Sequence, residues 1–162
     1  AADLFRWFPI LAMILTPVLG SFLDHKGKGA TMLMLGSLIM IACHLSFAFL
    51  LPIYPNEWFA LLIIVILGVS FSLVPAALWP SVPKIIDPVI LGSAYSLIFW
   101  IQNIGLCFVP LIIGMTLKAT GGYLVPMLIF ASLGVLALIL SFALKAFDKK
   151  KGFGLEEPNI KE

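Results

Sequence analysis

Five stretches of this chain are apolar enough, and long enough, to cross a lipid bilayer as helices, and nothing else in the sequence constrains the fold as strongly. A hydrocarbon core of about 30 Å takes about 20 helical residues to span. The runs extend approximately over 4–23, 30–51, 58–82, 89–117 and 122–144. Each is far longer than the roughly ten alternating residues of a membrane barrel strand. The expected fold class is therefore all-α: a polytopic membrane bundle of five transmembrane helices over 1–145, with a tail over 146–162. Composition agrees, because charged residues make up 11% of the chain, against about 25% in a soluble domain.

The connections are short and carry turn chemistry: Pro52 and Pro55, Pro83 and Pro88, then Gly121 beside Gly122. Short loops make consecutive spans antiparallel neighbours. Orientation follows from lysine and arginine. If the loop holding Asp24 faces the cytoplasm, Lys26, Lys28, Lys84, Lys145, Lys149, Lys150, Lys151 and Lys161 share its side, leaving Arg6 and Lys118 opposite. That bias sets the C-terminus in the cytoplasm. The tail FDKKKGFGLEEPNIKE has little to bury and is expected to be mobile, its lysine run serving as an orientation anchor.

Several function classes drop out. The net charge of +2 and the lack of a basic patch interleaved with aromatics argue against nucleic acid. Cys43 and Cys107 both lie in apolar runs, which suits small buried side chains better than a disulfide or a metal. Asp3, Asp24, Glu57, Asp87, Asp148, Glu156, Glu157 and Glu162 all fall in loops, at span edges or in the tail. With no paired acids, no nucleophile and base set and no ligand cluster, neither an enzyme nor a cofactor or metal is expected. No cationic segment leads into the first apolar run, so a signal peptide is not expected, and whether Ala1 is a natural start stays open.

The remaining polar and helix-breaking positions point to a cavity. Pro75, Pro80 and Pro83 crowd the end of the third run, freeing carbonyls near Phe71, Ala76 and Trp79, so that helix is expected to bend or break. Irregular helices at membrane depth are tolerated where they line a cavity. Trp79 beside the break is either a cavity wall or part of an interfacial belt. In the fourth run, Tyr95, Phe99, Gln102, Asn103, Leu106 and Pro110 share one helical face. Gln102 and Asn103 there either hydrogen-bond a substrate or glue helices together. His44 is the one ionisable group, cysteines aside, deep inside a run, and it is open to the same two readings. Gly92, Ser93 and Ala94 leave the start of the fourth run slim enough for close approach by another helix.

In the loop GSFLDHKGKG, the positions Gly20, Asp24, Gly27 and Lys28 resemble the glycine, aspartate, glycine and basic positions of the loop signature of the major facilitator superfamily. His25 and Gly29 depart from it, standing where basic residues are usual. Three spans and a basic tail follow, so the chain resembles helices eight to twelve of that twelve-helix fold. PVLGSFLDHKGK at 17–28, ALWPSV at 77–82 and LGSAYSLIFWIQNIGL at 91–106 are similar to its lysosomal dipeptide-transporting branch. The resemblance implies a parent protein whose first half and seventh helix lie outside this chain. It further implies a small polar substrate, best a dipeptide, moved by alternating access between two bundles in the bilayer. Membrane placement would be lysosomal in a eukaryote and the inner membrane in a bacterium. Trp79, Tyr95, Gln102, Asn103 and His44 would face substrate, while Gly20, Asp24, Gly27 and Lys28 would form a gating motif in which Asp24 latches onto a helix N-terminus of the other bundle and sets the balance between outward-open and inward-open states. A sugar or organic-anion carrier, or a scaffold without transport, remains open at this stage.

Overall fold

The computed structural model describes residues 7–160. Among the described residues, five helices are long and apolar enough to cross a membrane. They are α1 (Trp7–Lys26), α2 (Gly29–Ile53), α3 (Glu57–Ile85), α4 (Leu91–Thr120) and α5 (Leu124–Lys151). The ends carry local chemistry. Asn56 caps α3 by accepting from the Trp58 N–H at 2.8 Å, and Asp87 accepts from the Val89 N–H where a 3₁₀ turn leads into α4. Gly121 and Gly152, both at positive φ, stop α4 and α5. The predicted part of the first run before residue 7 lies outside the described residues.

Small residues decide which helices meet. A methyl added at Gly36 of α2 would sit 3.4 Å from Leu73 Cβ and the Ser70 carbonyl of α3, and Ser70 Oγ donates to the Gly36 carbonyl at 2.6 Å. Gly134 of α5 lies against Ile41 of α2, and Gly68 of α3 against Leu11 of α1. Close backbone approach of this kind is what holds helices together in lipid, where burial supplies no drive between them. The chief pairs are accordingly α1 with α3, α2 with α3 and α2 with α5. Being consecutive does not make two spans neighbours: α4 touches α3 and α5 only lightly and has no buried residue among those described. Its Gly92, Gly105 and Gly114 have no described atom within 4 Å of an added Cβ.

Three expectations are corrected. The triple-proline helix does not break: α3 is continuous through Pro75, Pro80 and Pro83. Each proline removes one N–H, and the rest of the ladder carries the helix through. The irregular stretch lies instead in α2, where Ser46–Leu50 forms a π-helical turn just before Pro52. Cys107 is exposed on the unpacked α4, unlike buried Cys43. Finally, α5 runs on to Lys151 and the tail after it is folded onto the bundle, with Leu155 only 1% exposed.

Candidate functional site

Between α3 and the loosely held α4 opens a cleft of about 410 Å³, lined by Met40, Phe71, Pro75, Trp79, Ile98 and Gln102, among others. Trp79 is its aromatic wall. Phe99 stacks on the Trp79 ring at 4.9 Å and Tyr95 tilts against it at 5.9 Å, bracing the indole from α4. The Tyr95 hydroxyl donates to the Trp79 carbonyl at 3.1 Å. That carbonyl is the one Pro83 leaves without its helical partner, four residues on. Tyr95 therefore braces the Trp79 ring with its own, without lining the cleft itself, while its hydroxyl repairs the α3 backbone.

The predicted substrate residues are thus only partly brought together. Trp79 and Gln102 line the cleft, and the Gln102 amide has no hydrogen-bond partner among the described residues. Asn103 is turned away, its Nδ2 donating to the Phe99 carbonyl one turn back at 2.7 Å. His44 is elsewhere: its Nδ1 lies 2.8 Å from the Met40 carbonyl and its ring stacks on Phe130 of α5 at 5.2 Å. Its geometry is that of a group packing two helices together. Met40, Phe71 and Pro75, which sequence reading did not propose, belong to the lining. Their signal was faint, since apolar side chains are everywhere in such a chain.

The loop between α1 and α2 is the second constellation. Gly27 and Lys28 are both left-handed, at φ 71° and 64°. Gly27 is required twice over, because a Cβ there would also stand 2.5 Å from the Glu156 carbonyl oxygen. Asp24 Oδ1 accepts from Asn159 Nδ2 at 2.6 Å, and its main-chain carbonyl accepts from the Asn159 and Ile160 N–H groups. Gly20 has no described atom within 4 Å of an added Cβ. The Glu156 carboxylate receives the Thr31 N–H at 2.8 Å and the Thr31 hydroxyl at 2.6 Å, while Lys145 donates to that hydroxyl. An acid does sit on a helix N-terminus here, but it is Glu156 on α2 of the same bundle. Sequence reading missed Glu156, Asn159 and Thr31. The available signal was the start of α2, where Lys28 stands at the capping position and offers no side-chain cap.

The chain matches the family described as Major Facilitator Superfamily over residues 3–159. Among curated relatives, the lysosomal dipeptide transporter MFSD1 of Bos taurus is 33% identical over 136 residues, covering 82% of this chain and 28% of the relative. The protein of that name from Danio rerio is 33% identical over 146 residues, 90% of this chain and 30% of its own. The one from Homo sapiens is 30% identical over 135 residues, 82% and 28% respectively. The chain thus spans less than a third of the length of these relatives. No solved structure matches it significantly.

Proposed function

Because the chain belongs to the Major Facilitator Superfamily, we propose that it supplies helices eight to twelve of a transporter that carries dipeptides by alternating access. The observation that carries this reading is the cleft beside Trp79. Its volume of about 410 Å³ falls in the range of small-molecule sites, about 300–1,000 Å³. It is mainly apolar with one convergent unpaired amide, Gln102, and it lies against α4, the helix whose surface the bundle leaves uncovered. The rest of the parent closes that side. Side chains of a dipeptide pack on Trp79 and Phe71, and its peptide group meets Gln102.

The charged termini of a dipeptide need partners that this cleft lacks, since no charged side chain lines it. They come from the other half. No carboxylate lies near the middle of a described span, which favours passive exchange or uniport over coupling to a proton on this half. The charged end of the bundle, with Lys26, Lys28, Lys84 and Lys145, faces the cytoplasm by the positive-inside bias, and the membrane is lysosomal if the source is eukaryotic.

The test is uptake by the full-length parent in liposomes, with a dipeptide panel against sugars and carboxylates. Dipeptide flux that falls in Trp79→Ala and Gln102→Ala is expected. Flux unchanged in both removes the site, and flux of sugars alone removes the substrate class.

A further inference from the structure

The first-turn amides of any α-helix lack partners inside it and need acceptors from elsewhere. At the start of α2 those acceptors come from residues 155 and 156, more than a hundred positions away. The Lys28 N–H donates to the Glu156 carbonyl and the Gly29 N–H to the Leu155 carbonyl, both at 3.0 Å, while the Thr31 N–H donates to Glu156 Oε1. The segment is itself pinned from several sides. Asp148 of α5 accepts from the Leu155 N–H, Lys84 of α3 donates to the Gly154 and Glu157 carbonyls, and Asn159 closes over Asp24 of α1. Leu155 is the buried peg beneath.

We infer that residues 152–160 are a strap that forms part of the gate, with Glu156 as the residue that positions the 24–31 loop. The inference rests on the transporter reading above. Lys28 occupies the left-handed region without being glycine, a conformation that persists only where surroundings hold it. The strap is that surrounding. It fixes the loop so that Asp24 keeps Oδ1 on Asn159 and leaves Oδ2, unpartnered among the described residues, available to the other bundle. It also ties the ends of α1, α2, α3 and α5 together, so that they move as one body, while α4 stays outside the tie.

The experiment uses the full-length parent with its cysteines replaced, Cys43→Ala and Cys107→Ser among them, and a reporter Ser81→Cys, a near-isosteric change at a buried position beside Leu155, Glu157 and Asn159, reconstituted in liposomes. Glu156→Ala, Glu156→Gln, Asn159→Ala and a truncation after Lys151 are compared for reporter labelling by a membrane-impermeant maleimide and for dipeptide kcat and KM. Glu156→Ala, which removes both Thr31 bonds, is expected to speed labelling and lower kcat at least about three- to tenfold, the factor one net hydrogen bond carries, and the truncation, which removes the whole set, by more, with KM held. Glu156→Gln, which keeps an acceptor for the Thr31 N–H, falls between. Should Glu156→Ala not remain monodisperse, Glu156→Gln and Asn159→Ala carry the comparison. Unchanged labelling overturns the strap, and faster labelling with unchanged kcat overturns its part in the gate. If even the unmodified parent moves no dipeptide while labelling still responds, the strap stands and the substrate assignment falls.

Discussion

Replacing Tyr95 with phenylalanine removes one oxygen and leaves the aromatic brace on Trp79 in place. What is lost is the donor to the Trp79 carbonyl, at 3.1 Å. That distance is at the long end for a hydroxyl donor, and side-chain hydrogen bonds between membrane helices average about 0.6 kcal/mol with a maximum near 1.7 kcal/mol. Because the carbonyl is then left with no donor at membrane depth, the expected cost is about 1 kcal/mol rather than the lower figure. The reasoning is sharpest as a cycle with Pro83→Ala. An alanine at 83 restores the N–H that bonds Trp79 in an ordinary helix, so Tyr95→Phe in that background should cost about 0.3 kcal/mol or less, the scatter of additive pairs. Unfolding of the full-length parent in mixed detergent micelles, read as a midpoint shift at constant slope, measures both legs. Equal costs of Tyr95→Phe in the two backgrounds would show that the carbonyl has another partner and would refute the account. Dipeptide KM provides a second reading. It should be unchanged in Tyr95→Phe, because the hydroxyl serves the backbone and the ring is kept.

Glycines of one loop signature should behave oppositely. Gly27→Ala is expected to cost about 2 kcal/mol or more, combining the left-handed backbone with a collision on the Glu156 carbonyl, whereas Gly20→Ala, inside α1 with open space beside it, should leave maleimide labelling of Ser81→Cys unchanged. Gly134→Ala should destabilise by about 1–3 kcal/mol, since its methyl would lie 2.8 Å from Ile41 Cγ1. Ile41→Ala removes that atom, so the double variant in the same micelle titration should be less destabilised than the sum of the two. Asp24→Asn keeps an acceptor for Asn159 but loses the carboxylate charge. Transport turnover should change while the ranking of dipeptides by KM stays the same, and a reordered ranking would place Asp24 in the substrate site.

Much of the architecture was legible because the bilayer imposes it. Leu33, Ile63 and Ala131 need no partner in lipid to be read as helix, only a run of apolar neighbours long enough to cross. Trp79 and Gln102 could be singled out for the converse reason: a large indole beside prolines and an amide in lipid are both costly unless something meets them. The same reasoning left Asn103 and His44 open between meeting a substrate and packing helices together. An amide or imidazole can satisfy itself on a carbonyl one turn back, as each does, and helical periodicity does not say which neighbour a side chain takes. A bend or a break was expected in α3 because three prolines each remove a donor; the helix is unbroken, and the donor replacing the one lost at Pro83 sits on another helix, sixteen residues beyond the Trp79 carbonyl it serves.

By itself the sequence determined five membrane-length helices, their loops, the asymmetry of lysines and the family, since length, hydropathy and motif spacing are properties of the chain read in one dimension. Only the tertiary structure decided that α1 meets α3, that α2 meets α5, and that α4 is left nearly alone beside the Trp79 cleft. It also decided that GLEEPN, which looked too polar to bury anything, caps α2 and closes over Asp24. The physical reason is common to both. Helix pairing in lipid rests on which small residues allow backbones to approach, and the tail's order rests on unpaired amides at a helix start more than a hundred residues away. Neither complement exists until the chain has folded.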